Sequence, residues 1–160
     1  MMEIVFNKEE IAEIGKIQAK YPQKEASIMP VLWIAQKKFG WISNEVISYI
    51  AKLLDVSPSK VEGVATFYTM FYKKQMGKFH IQVCTNVSCM LREGVKIFKY
   101  LSDKFDISNM ETTSDGMFSI EEVECMGACS GAPMIAINED YHENITIEKL
   151  QEILANCPCK

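Results

Sequence analysis

Two cysteine pairs, Cys84-Thr-Asn-Val-Ser-Cys89 and Cys125-Met-Gly-Ala-Cys129, stand 35 residues apart. For four thiols to serve one centre the chain must bring two distant loops together, and few architectures do so. Each pair reads as a chelate loop, in which the chain leaves one element, turns tightly and presents a second sulfur on the same side. Thiolates are soft ligands that select zinc or iron-sulfur over oxygen-loving cations. Structural zinc sites usually carry pairs close to C-x2-C. Here both gaps are wider, and C-x4-C opens the plant-type [2Fe-2S] spacing, where the loop wraps two irons and their bridging sulfides. The plant pattern then breaks, because its third cysteine would fall at Arg92. The spacing favours an iron-sulfur centre, with structural zinc and a disulfide or unligated thiols as the alternatives.

The surroundings of the cysteines point the same way. Cys89 falls where a helix is expected to begin, so unpaired backbone N–H groups and the positive end of the helix dipole would favour a thiolate and an anionic cluster. The second loop, from Cys125 to Pro133, carries Met126 as its one bulky side chain. Backbone N–H groups could therefore approach inorganic sulfides closely and tune the potential. Cys157-Pro-Cys159 is expected to be exposed and frayed, and is left outside the ligand set. His80 alternates away from the apolar side of its strand and His142 lies near a turn, so both read as surface histidines.

With 160 residues and 48% hydrophobic content the chain can pack a core, as one domain or two small ones. A formal net charge of -4 argues against nucleic acid, which needs a basic surface. The first ten residues show no basic n-region followed by a long apolar core, and no apolar run approaches the ~18 residues of a membrane span. These features predict a soluble intracellular protein with no direct membrane insertion, in a reducing compartment where paired cysteines are more often metal ligands than disulfides.

The hydrophobic period divides the chain into residues 1–76 and 77–160. The first part predicts helices only. Asn7 and Glu10 form a capping-box pattern before the stripe Ile11, Ile14, Ile17, which stops at Tyr21-Pro22. Ile28, Val31, Leu32, Ala35 and Phe39 follow at helical spacing up to Gly40, with Pro30 acceptable only in a first turn. Ser43 precedes Val46, Ile47, Ile50, Leu53 and Leu54, the clearest amphipathic pattern in the chain, and Ser57-Pro58 opens a short fourth helix. In the second part Phe79, Ile81 and Val83 alternate with polar residues, which predicts a strand running into Cys84. A helix from about Cys89 is expected next, with Val95, Ile97, Phe98, Leu101 and Phe105 apolar. Strands over 117–123, 134–137 and 141–144 and a last helix capped by Thr146 complete a mixed α/β layer with both cysteine pairs at strand ends.

Further motif residues accompany these elements. They are Tyr21-Pro22, Pro30, Gln36, Gly40-Trp41, the run Val64-Ala-Thr-Phe-Tyr-Thr-Met-Phe71, Val83-Cys84 with Cys89, and Glu124-Cys-Met-Gly-Ala-Cys-Ser130 with Ala132-Pro133. In this combination the chain resembles, over nearly its whole length, the E subunits of bacterial NADH-quinone oxidoreductase, homologues of the [2Fe-2S] subunit in the flavoprotein module of mitochondrial complex I. The resemblance implies an α+β architecture, a helical bundle over 1–76 joined to a thioredoxin-like ferredoxin domain with a mixed sheet over 77–160. It implies one [2Fe-2S] cluster on Cys84, Cys89, Cys125 and Cys129, and no catalytic residue and no complete active site in this chain alone. It also implies a larger respiratory complex that is peripheral to the inner membrane on the cytoplasmic side. There a flavoprotein subunit holds FMN, the NADH site and a [4Fe-4S] cluster, and single electrons pass between FMN and this chain's cluster. The chain itself has no G-x-G-x-x-G and no Walker sequence. Related subunits serve NAD-linked hydrogenases and formate dehydrogenases, and a free-standing thioredoxin-like ferredoxin is the further alternative. The position of Pro133 raises the hypothesis of a cis Ala132-Pro133 bond.

Overall fold

The computed structural model describes residues 4–157, which divide into two separately packed units between Gln75 and Met76. The first unit holds α1 (Lys8–Gln18), α2 (Ile28–Phe39), α3 (Asn44–Leu54) and α4 (Pro58–Phe67), with a 3-10 turn at Lys24–Ser27. The capping box forms in full: Asn7 Oδ1 accepts from the Glu10 N–H at 2.8 Å, and Glu10 Oε2 accepts from the Asn7 N–H at 2.6 Å. Pro30 is the third residue of α2, inside the first turn where its missing N–H has no partner to lose. The α2 stripe Ile28, Val31, Leu32, Ala35 and Phe39 is buried, as are Val46, Ile47, Ile50 and Leu54 of α3 and Val61 and Ala65 of α4. Ser43 caps α3 by accepting from the Val46 N–H at 3.2 Å. Ser57 holds the N-cap backbone of α4, but its hydroxyl pairs with Ser59 instead of a helix N–H.

The second unit is built on a mixed sheet, ordered β2-β1-β3-β4, of β1 (Phe79–Cys84), β2 (Phe118–Val123), β3 (Ile135–Ile137) and β4 (Asp140–His142). Its helices are α5 (Val87–Leu91), α6 (Gly94–Phe105) and α7 (Ile147–Asn156), the last capped by Thr146 Oγ1 at 3.2 Å from the Lys149 nitrogen. Ile81, Val83, Phe118, Ile120, Ile135 and Ile137 from the sheet form one core with Ile97 and Leu101 of α6 and Leu150 and Leu154 of α7. The α+β expectation holds, and the Ala132-Pro133 bond is cis.

Three expectations need correction. The helix placed from Cys89 begins at Val87 and breaks at Arg92–Glu93, where Glu93 takes φ +74. Restarting at Gly94 changes the helical phase, so Val95 faces solvent at 48% exposure while Ile97 and Leu101 point inward. His80 is buried at 3% exposure, not a surface histidine: alternation predicted its face correctly but could not show that this face is covered.

Candidate metal centre

The parallel pairing of β1 with β2, from Phe79↔Phe118 to Cys84↔Val123, puts the carboxyl ends of both strands at one end of the sheet. Cys84 is the last residue of β1, and the Cys125–Cys129 segment begins two residues after β2 ends. β3 runs antiparallel on the other side of β1, so the second loop must cross over the end of β1 to enter it. The crossing is pinned where the Cys84 N–H donates to the Met134 carbonyl at 3.3 Å and the Thr85 N–H to the Val123 carbonyl at 3.0 Å. Topology thus brings the two cysteine loops together.

Cys84 and Cys89 are buried, at 3% and 2% exposure, in a small cluster with Ala132 and Met134, against which Val123, Met126 and Ala128 pack. The Cys84 thiol donates to the Glu124 carbonyl at 3.6 Å, next to Cys125 in sequence, and is also hydrogen-bonded to Cys89. Cys129 lies within electrostatic reach of Cys89, while Cys125 and Cys129 are both exposed. The Gly127 N–H donates to Cys125 Sγ at 3.4 Å, and the Met134 N–H donates to the Cys89 sulfur. Gly127 has φ +77, a left-handed conformation that favours glycine there. Among the described residues no three His, Cys, Asp or Glu side chains close around a single point as one metal ion would require.

Cys89 does fall in the first turn of a helix, as expected. α5 is five residues long and Cys89 is its third, so there is little dipole to draw on. Burial pushes the Cys89 thiol above its ordinary range, and the hydrogen bond with Cys84 and the nearby Cys84 and Cys129 sulfurs reinforce this against the opposing Met134 N–H. Binding a metal centre there must therefore expel protons.

His142 lies half-buried on β4, opposite Ile135 of β3 and two strands from Cys84. His80 shares the sheet face of Cys84, four residues earlier, and bonds Ser119 and Glu121. Cys157 is half-buried and packs against the core of the second unit, whereas a frayed position was expected; Cys159 lies outside the described residues. Sequence reasoning passed over the Met134 N–H and the Glu124 carbonyl, since backbone partners leave no residue-type signal. It also passed over Gly94, whose place just after a cysteine turn and at a helix start was a usable clue.

The donor set fits an iron-sulfur cluster better than a harder cation: four thiols on two loops, backbone N–H groups already on two sulfurs, and an apolar lining. A family model for thioredoxin-like [2Fe-2S] ferredoxins matches residues 14–158. The chain is 42% identical over 152 residues to the E subunit of NADH-quinone oxidoreductase from Rickettsia bellii (strain RML369-C), covering 93% of this chain and 91% of that one. It is 41% identical over 142 residues to the E subunit numbered 2 of the same oxidoreductase in Rhizobium meliloti (strain 1021), covering 89% and 84%. Among solved structures, an NAD+-reducing [NiFe]-hydrogenase in the air-oxidised state superposes with a TM-score of 0.72 at 15% identity, over 81% of this chain and 22% of that chain. The chain spans about a fifth of that hydrogenase chain, and the likeness is one of fold. Cysteine loops meeting at one end of a mixed sheet, the family match and two relatives above 40% identity agree: the chain belongs to the thioredoxin-like [2Fe-2S] ferredoxin family.

Proposed function

We propose that Cys84, Cys89, Cys125 and Cys129 hold one [2Fe-2S] cluster and that the chain is the electron-transfer subunit of an NADH-oxidising module in a respiratory NADH-quinone oxidoreductase. The observation that carries this is the convergence of both cysteine loops at the carboxyl ends of β1 and β2. When bound, such a cluster supplies one-electron chemistry. Cys84 and Cys89 would anchor it from the buried side, Met126, Val123 and Met134 would keep water from that side, and the Gly127 and Met134 N–H groups would offset the negative charge on sulfur. Cys125 and Cys129 would present the exposed side, from which an electron reaches a partner.

On this reading the partner is a flavoprotein subunit that carries FMN, the NADH site and a [4Fe-4S] cluster. The hydride chemistry belongs there, and this chain exchanges single electrons with the flavin. The helical first unit is read as a docking and assembly domain and the second as the ferredoxin domain. Among the described residues no helix is long and apolar enough to cross a membrane. A peripheral, cytoplasmic position held through the complex is part of the same proposal. The relatives at 41–42% identity favour a quinone-linked complex over a hydrogenase, because the hydrogenase likeness at 15% speaks for the fold alone.

Anaerobic purification followed by iron and acid-labile sulfide analysis tests the cluster, with EPR of the dithionite-reduced protein. Two of each per chain and a rhombic S = 1/2 signal are expected of a binuclear cluster. Cys125→Ser should distort or abolish the signal and Cys157→Ser should leave it intact; the reverse would overturn the ligand assignment.

A further inference from the structure

Between the first cysteine loop and the core lies a return of unusual tightness. The Arg92 N–H donates to the Cys89 carbonyl at 3.1 Å and the Glu93 N–H to the Met90 carbonyl at 3.1 Å, closing α5. Glu93 then turns through φ +74, a conformation that costs a side-chain-bearing residue free energy and persists where surrounding structure imposes it. α6 starts at once on Gly94, which is buried. A Cβ placed on Gly94 would stand 2.6 Å from the Cys84 carbonyl oxygen, 2.9 Å from the Cys89 carbonyl oxygen and 3.1 Å from the Cys89 carbonyl carbon. All three atoms are main chain, so no rotamer change can make room.

Such crowding is found at three glycines only: besides Gly94, an added Cβ would meet the Phe118 main chain at Gly77, at 2.5 Å, and the flexible Glu143 side chain at Gly131. At Gly15, Gly40, Gly63, Gly116 and Gly127 an added Cβ meets nothing within 4 Å. Gly94 is instead wedged against the main chain of both cysteines of the first loop. These are the two buried members of the quartet, and their sulfurs are already within hydrogen-bonding reach of each other.

We propose that Gly94 is a positioning residue for the metal centre: its lack of a side chain lets the first turn of α6 seat on the carbonyls of Cys84 and Cys89, and that seating sets the separation and the burial of their sulfurs. The inference rests on the ligand assignment given above. A methyl group at this position pushes α6 off the loop or spreads the two cysteine backbones. Either movement changes the bite of the chelate and opens the buried side to solvent. Because the contact is made to the main chain, alanine and serine act alike, and only glycine serves.

The test uses the full chain in four forms: wild type, Gly94→Ala, Gly63→Ala as a glycine with open space around it, and Leu101→Val as a core change two turns along the same helix. EPR line shape and midpoint potential are measured on the reduced, cluster-loaded proteins. Alkylation of individual cysteines, followed by peptide mass mapping, is measured on the cluster-free proteins, with far-UV circular dichroism as the check of folding. In Gly94→Ala the EPR anisotropy and potential shift, cluster content falls several-fold, and Cys89 alkylates about tenfold faster as the loop opens locally. Gly63→Ala and Leu101→Val keep the wild-type values of all four. Wild-type line shape, potential and alkylation rates in Gly94→Ala, or equal changes in Leu101→Val, would overturn the proposal. Should Gly94→Ala not fold, Glu93→Val decides, since a β-branched residue disfavours the left-handed turn that steers α6 onto the carbonyls. Faster Cys89 alkylation in that variant supports the seating, and wild-type rates refute it. If wild type itself takes up no iron and sulfide, the functional reading fails, while the alkylation comparison still judges Gly94.

Discussion

His80 Nε2 lies 2.9 Å from Glu121 Oε2 inside the second unit, although the β1–β2 ladder pairs His80 with Ser119 and Gln82 with Glu121. The contact is therefore diagonal, and Gln82 Nε2 donates to the same carboxylate oxygen at 2.8 Å. At the other end of the ring, Nδ1 is 2.8 Å from Ser119 Oγ, which also accepts from the Gly77 N–H at 3.0 Å. A proton on Nε2, with the Ser119 hydroxyl donating to Nδ1, satisfies every group in this chain of bonds. The network links β1 and β2 on the face that also carries Cys84, and it stops two residues short of the strand ends from which both cysteine loops leave.

Glu121 makes that network sensitive to acid. Burial is the largest single influence on its carboxyl and pushes it up, but the hydrogen bonds from His80 and Gln82 and the electrostatic interaction with His80 together outweigh burial and hold it below the ordinary value of 4.5. A group depressed in the folded state contributes stability that is present above the unfolded pKa and is lost as pH falls through the folded one. Urea unfolding of wild type should thus weaken progressively below pH 4.5, and Glu121→Gln should flatten that acid limb. At neutral pH Glu121→Ala is expected to cost about 1–3 kcal/mol, because it strands the His80 and Gln82 donors in a covered site. An unchanged acid limb in Glu121→Gln would show that the carboxylate does not hold the strands.

In the first unit Gln36 does a comparable task. Its side-chain amide donates to the Met70 carbonyl at 2.7 Å and accepts from the Tyr72 N–H at 2.7 Å, from a position 7% exposed on α2. Gln36→Ala leaves both main-chain groups to find water, at a cost of about 1–3 kcal/mol in chemical denaturation. Gln36→Glu keeps the acceptor but turns the donor into a second acceptor facing the Met70 carbonyl, so it should be no milder than alanine.

The sequence made some of this legible and hid the rest for identifiable reasons. The α2 and α3 stripes were readable because burial there follows a 3.6-residue period over three turns. The placement of Cys84 was readable because Phe79, Ile81 and Val83 run in strict alternation into it. The burial of His80 was not, since alternation assigns a face and only tertiary structure covers it. Nor was the break between α5 and α6, where good helix formers on both sides yield to a left-handed Glu93 and a glycine seated on distant main chain. The raised Cys89 thiol was hidden too, because its first cause is burial, which only tertiary structure supplies.

The aromatic run that begins at the last residue of α4 separates into two roles that composition could not distinguish. Phe71 is 3% exposed and meets Trp33 edge-on with ring centroids 6.0 Å apart, whereas Phe67 is 77% exposed. Phe71→Ala should cost about 3–5 kcal/mol as a core truncation. Phe67→Ser should move stability by no more than about 0.5 kcal/mol. Thermal or urea unfolding of the two variants side by side reads this directly, and a comparable loss at both positions would contradict the packing.

Gly63 and Gly127 give a last prediction in which identical substitutions have opposite signs. Neither has any atom within 4 Å of an added Cβ, so packing cannot decide the outcome. Gly63 lies inside α4, where alanine gains about 0.5–1 kcal/mol by narrowing the unfolded ensemble. Gly127 sits at φ +77, where a side chain costs about 1–2 kcal/mol, and relaxing that strain would turn its N–H away from Cys125 Sγ. Gly63→Ala should therefore raise the unfolding midpoint with an unchanged EPR signal. Gly127→Ala should lower the midpoint and, through loss of a hydrogen bond to sulfur, shift the reduction potential to a more negative value. A Gly127→Ala protein with wild-type potential would mean that this N–H contributes nothing to the electrostatics of the centre.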